Sequence, residues 1–185
     1  MNTKKITANA VFTAIALTIF MVELQIPPMV PIPGVKLGLA NIVTVFAVFK
    51  LGSKDAACIL FARILLGGMF SGQAMSIIYS LAGGFFCLAA MVFLRKLVSV
   101  NQMWVCSVIG AIAHNIGQIT IAVLVTGTLA LAAYLPVLMI SGMTAGLCTG
   151  LCAQFTVERI DKLFSKWCGV VKVGTQGCDG GGIAG

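Results

Sequence analysis

The sequence predicts an all-α polytopic membrane protein, a compact bundle of six transmembrane helices with both termini on the cytoplasmic side. Three observations point there. Of 185 residues, 59% are hydrophobic and only 9% are charged, whereas a soluble domain carries about 25% charged residues. The apolar residues gather in runs long enough to cross a hydrocarbon core of about 30 Å. The charges fall at the ends of those runs. With the N-terminus inside, the inner ends hold Lys4, Lys5, Lys50, Lys54, Arg95, Lys96, Arg159, Lys162, Lys166 and Lys172, and the outer loops hold only Lys36. That bias follows the positive-inside rule, and it explains the net charge of +7 without nucleic acid as a partner.

The spans follow in order. Lys4 and Lys5 precede an apolar run from Ile6 to about Ile26. It is too long for a signal peptide and ends in Glu-Leu-Gln-Ile-Pro-Pro without a small-residue cleavage site, so it reads as an uncleaved first span. Pro27, Pro28, Pro31 and Pro33 end that helix and hold an extended outer loop. A short second span runs from about Val35 to Phe49, and a third from about Asp55 to Leu66 or slightly beyond. Gly67, Gly68 and Gly72 then mark a turn, GGMFSG. The fourth span runs from about Gln73 to Leu94 and the fifth from Trp104 to Thr126. The sixth runs from about Tyr134 to Val157. Trp104 and Tyr134 fall near span ends, where amphipathic rings settle at the headgroups. A charged helical segment follows from Glu158, and the composition sets a membrane domain over residues 1–166 against a flexible, glycine-rich tail over 167–185.

Several chemistries lack their residues. Most of the seven cysteines lie inside apolar runs and read as small apolar packing residues. Cys148 and Cys152, four apart on a helix, do not match a usual metal spacing. The sequence holds no Walker A phosphate loop. Its three aspartates, Asp55, Asp161 and Asp179, are isolated from one another. No catalytic residue, metal ligand or cofactor is therefore assigned, and the chain is not read as an enzyme.

The informative residues are polar ones inside apolar spans. The fifth span carries the chain's single histidine, His114, with Asn115 and Gln118. His114 and Gln118 are four apart and share a helix face. In the six-span topology Glu23 and Gln25 lie at the outer end of the first span, and Lys36 and Asn41 in the outer part of the second. Arg63 falls about one turn below the GGMFSG turn. Gln73, Ser76, Tyr79 and Ser80 occupy the outer half of the fourth span. Polar groups at membrane depth are costly and face a partner or a cavity rather than lipid. Their common level predicts a pocket open to the outside, built by Glu23, Lys36, Asn41, Arg63, Gln73, Tyr79, His114, Asn115 and Gln118. Lys36 and Arg63 against the single Glu23 suit an anionic group, and the apolar walls suit a hydrophobic portion of the same small molecule. The competing reading is that Glu23 and Arg63 pair only with each other and staple two helices, though desolvation largely cancels such attraction. Small-residue faces occur at Ala10 and Ala14 on the first span and at Gly142, Gly146 and Gly150 on the sixth. These let helices approach closely, which for the glycines reads as packing within the bundle.

Two runs carry a family resemblance, PGVKLGLANIVTVFAVFKLG at Pro33–Gly52 and ARILLGGMFSG at Ala62–Gly72. They resemble the family called Gx transporter proteins, also labelled heptaprenyl diphosphate synthase component I, and the resemblance covers about Lys5 to Lys166. The basic N-terminus, the Ala-x-x-x-Ala face and the outer pocket are similar to the S components of energy-coupling factor (ECF) transporters. This implies a multi-pass protein of the bacterial plasma membrane that binds a solute from outside. It implies docking through Ala10 and Ala14 onto a transmembrane coupling protein driven by two ATPases, followed by toppling that carries the solute inward. The second label implies a different role, as an integral subunit associated with prenyl diphosphate synthesis, in which His114 and Glu23 would be acid–base candidates. Synthases of that chemistry hold magnesium-diphosphate through aspartate-rich clusters, which this chain lacks.

Overall fold

The computed structural model describes residues 3–25, 38–72, 74–99 and 102–175. Among them are six α-helices and one 3-10 helix, and no strand. In order they are α1 (Thr3–Glu23), α2 (Asn41–Lys50), α3 (Ser53–Ser71), α4 (Ala74–Leu94), α5 (Met103–Thr126), the 3-10 helix η1 (Leu129–Tyr134) and α6 (Leu135–Thr175). The chain forms two units, residues 1–154 and residues 155–185. In the second unit α6 continues through Thr175.

Among the described residues, four helical segments are long and apolar enough to cross a membrane: Lys5–Glu23, Ala74–Leu94, Met103–Thr126 and Leu129–Ile160. The other two helices differ from them for physical reasons. With 10 residues, α2 reaches about 15 Å, half of a hydrocarbon core. The 19 residues of α3 are enough for a span, but they include Lys54, Asp55 and Arg63. The start of α2 at Asn41 falls later than the expected Val35. Residues 38–40 form a turn instead, opened by Gly38 at φ 77°, a conformation costly for any residue with a Cβ. The proline-rich loop, Lys36 and Gln73 lie outside the described residues.

Two contacts fix the alternation of the first helices. Near the start of α1, Asn9 donates to Asp55 in the first turn of α3 at 3.0 Å, so these two helices begin at the same end. At the other end of α1, Glu23 meets the backbone that leads into α2. The short α2 touches α1, α3, α4 and α5, and its Asn41, Val43, Thr44, Val45, Ala47 and Val48 are buried.

The GGMFSG segment corrects the sequence reading. Gly67 and Gly68 are helical, and α3 ends only at Ser71, with Gly72 in the left-handed conformation as its cap. A Cβ at Gly68 would overlap the Ile77 side chain, and one at Gly67 would lie 2.7 Å from the Phe20 ring. These glycines remove side-chain volume where α3 meets α1 and α4. As a result Arg63 lies eight residues before the end of α3, about 12 Å along its axis, rather than one turn from it. The same principle brings α4 and α5 together, with a Cβ at Gly117 falling 3.0 Å from the Ala82 carbonyl oxygen and 3.1 Å from Gly83 Cα. On α6, Gly142, Gly146 and Gly150 face Asn115, Val108 and Trp104 of α5, so the glycine face serves packing within the bundle, as its spacing suggested.

Candidate ligand-binding site

The crossing of α4 and α5 positions the centre of the site. His114 and Gln118 flank Gly117 on α5, and both press on Gly83: a Cβ there would fall 2.9 Å from His114 Cε1 and 2.8 Å from Gln118 Cγ. From the opposite side comes the turn before α2. A Cβ at Gly38 would lie 3.0 Å from Asn41 Nδ2 and 3.6 Å from His114 Cδ2. Asn41, His114 and Gln118 thus meet around two glycines whose missing side chains leave them room.

Arg63 of α3 brings charge to this group. It attracts Glu23 and acts electrostatically on His114. All of these side chains are withdrawn from the surface, Gln118 being 0% exposed, Asn41 3%, Glu23 and His114 4% and Arg63 5%. None faces lipid. The Glu23 carboxylate is engaged chiefly by backbone, accepting from the Gly38 N–H with the amides of Leu39 and Ala40 also directed at it. Three amides at the start of a helix favour a negative charge. Glu23 therefore fastens α1 to α2, a role that its pairing with Arg63 alone did not suggest.

Hydrogen bonding separates this cluster from the other buried polar groups. Asn9 bonds Asp55, Thr13 bonds the Asn9 carbonyl, Ser107 and Thr149 bond each other, and Asn115 donates to the Leu138 carbonyl at 2.6 Å. By contrast, both amide atoms of Asn41, both of Gln118, Arg63 Nε and His114 Nδ1 have no hydrogen-bond partner among the described residues. One edge of the His114 ring faces the Gly83 carbonyl. Leaving a buried polar group unmatched costs about 1–3 kcal/mol each, so these six atoms would gain from a hydrogen-bonding guest or from water.

A small cleft adjoins Arg63, with Phe20, Ile64, Gly68, Ser76 and Ser80 as its other lining residues. It is narrow, with room for about one water molecule. It opens between α1, α3 and α4, so Arg63 has this cleft beside it and the amide cluster within reach of its charge. Of the residues expected at the site, Glu23, Asn41, Arg63, His114 and Gln118 converge, and Tyr79 is buried on α4. Asn115 is directed instead to α6 through Leu138. Phe20 and Ile64 were missed because an apolar wall residue looks like any other apolar residue. Phe20 carries a signal in helical spacing, being three residues before Glu23, whereas Ile64, next to Arg63, carries none.

A family model described as heptaprenyl diphosphate synthase component I matches residues 12–156. No curated protein and no solved structure matches the chain.

Proposed function

We propose that this chain, which belongs to the heptaprenyl diphosphate synthase component I family, is the solute-binding membrane subunit of an ECF-type importer. It takes up a small, anionic and partly apolar molecule at the bacterial plasma membrane. The observation that carries this reading is the set of unmatched polar atoms on Asn41, Arg63, His114 and Gln118, with a small cleft beside Arg63. In this reading all six helices cross or enter the bilayer with the termini in the cytoplasm. Arg63 meets the anion, and Asn41, His114 and Gln118 meet the rest of the guest. Lys36 and Gln73, expected at the same site, lie outside the described residues, and Glu23 and Asn115 hold the helices that carry the site.

Ala10 and Ala14 are exposed on α1, together with Ile6, Val11 and Ile15. That face supports docking onto a coupling protein served by ATPases. In the purified full-length protein, Arg63→Ala should weaken solute binding by about 10- to 100-fold, the loss expected for a hydrogen bond to a charged group. His114→Ala should weaken it less. Unchanged binding in both variants would refute the reading.

The family's name favours a second role, as a membrane partner of a prenyl diphosphate synthase. Affinity purification from native membranes separates the two. Recovery of a coupling protein with ATPases supports import, whereas recovery of a soluble aspartate-rich synthase with prenyl-transfer activity supports the second role.

A further inference from the structure

Resting on the solute-binding reading above, we propose that the guest is bipolar: its anionic end meets Arg63, and its other end carries a neutral group that both donates and accepts hydrogen bonds between Asn41 and Gln118. Carboxamides, lactams and heteroaromatic rings with adjacent N–H and acceptor atoms have this chemistry. A simple isoprenoid chain ending in diphosphate does not.

The two amides carry the inference. A primary amide presents an acceptor oxygen and a two-proton donor nitrogen, and in both Asn41 and Gln118 each of these is unmatched among the described residues. The hydroxyls of this chain show the alternative. Thr7, Thr18, Thr120 and Thr126 each return a hydrogen bond to the carbonyl four residues earlier, so a polar side chain in an apolar setting can be quieted locally. Asn41 and Gln118 have no such bond. They lie on different helices, and His114 touches the glycine contact of each. An anion alone would use Arg63 and the amide nitrogens but would leave both amide oxygens unmatched. A hydrocarbon alone would leave every one of these atoms unmatched. Apart from water, a group with donors and acceptors side by side is what satisfies both amides, and sites built on such groups reject analogues that lack them.

The experiment is native mass spectrometry of the full-length protein purified in lipid nanodiscs, with identification of any small molecule released on denaturation. Thermal unfolding of the emptied protein is measured in parallel. The wild type should release an acid that also carries a donor–acceptor group. Asn41→Leu and Gln118→Leu should each retain at least tenfold less of it. In the emptied protein the same variants should unfold at unchanged or higher temperature, because an unmatched amide has been replaced by an apolar group of similar size. Release of an anion without a donor–acceptor group would overturn the bipolar guest while leaving solute binding intact. Release of no organic molecule would overturn both, with the amides then matched by water only. Lower unfolding temperatures in the emptied leucine variants would overturn the bipolar guest as well, since they would show that the amides serve the fold.

Discussion

Gln118 has none of its surface exposed, and its position in the sequence explains why it was recognisable. An amide in the middle of an apolar helix stands out, and its four-residue spacing from His114 gives both one face. What the sequence could not convey is which polar residues would find partners. Asn115 looks as promising as Gln118, yet its nitrogen reaches the Leu138 carbonyl on α6. That pairing depends on a contact between residues 23 positions apart. Gly83 was invisible for the same reason, since its role exists only once α4 meets α5. A methyl group at Gly83 would fall 2.9 Å from the His114 carbonyl oxygen as well as against the two side chains. Gly83→Ala should therefore destabilise the protein by about 1–3 kcal/mol and abolish solute retention, as read by thermal unfolding and native mass spectrometry. A variant that retains its solute at full stability would show that the crossing is looser than described.

Helix existence and type followed from apolar runs, but helix ends did not. The second helix was expected at Val35 and begins at Asn41, because the Glu23 carboxylate gathers the amides of residues 38–40. No local pattern marks a carboxylate fifteen residues away as the anchor of a helix start. Glu23→Ala should loosen that junction at a cost of about 1.5–3 kcal/mol, the range for hydrogen bonds to a charged group. Hydrogen exchange should then accelerate at the first amides of α2 before it does elsewhere in α4 or α5. The GGMFSG segment was misread because glycine signals both turns and close packing, and only the neighbouring helix decides between them. The glycines of α6 offer a direct comparison. A Cβ at Gly150 would stand 2.6 Å from Trp104 Cα, a backbone atom that cannot yield, whereas Leu147 is 40% exposed. Gly150→Ala should lower the unfolding free energy by about 1–3 kcal/mol, and Leu147→Ala should change it by less than about 0.5 kcal/mol.

Across the whole molecule, the charge pattern and the geometry describe one polarity. Asn9 and Asp55 join the starts of α1 and α3 at the end where Lys5 and Lys54 reside, and Lys50 closes α2 beside them in sequence. The side chains of the site lie toward the opposite ends of α1 and α2, with Glu23 last on α1 and Asn41 first on α2. Composition alone fixed the helical class, and the level of the polar residues fixed which of them could meet. A labelling experiment tests this orientation. In a cysteine-free background, Thr128→Cys should react with an impermeant maleimide in intact cells, and Ser99→Cys should react only after the membrane is opened. The reverse pattern would put the cleft on the cytoplasmic side and exclude uptake from outside. The most direct measurement is an experimental density map of the protein purified in native lipid, inspected between Asn41, Arg63, His114 and Gln118. A bound guest predicts non-protein density within hydrogen-bonding distance of Arg63 Nε and of at least one of the two amides. Side chains bonded only to one another, with no density among them, would contradict it.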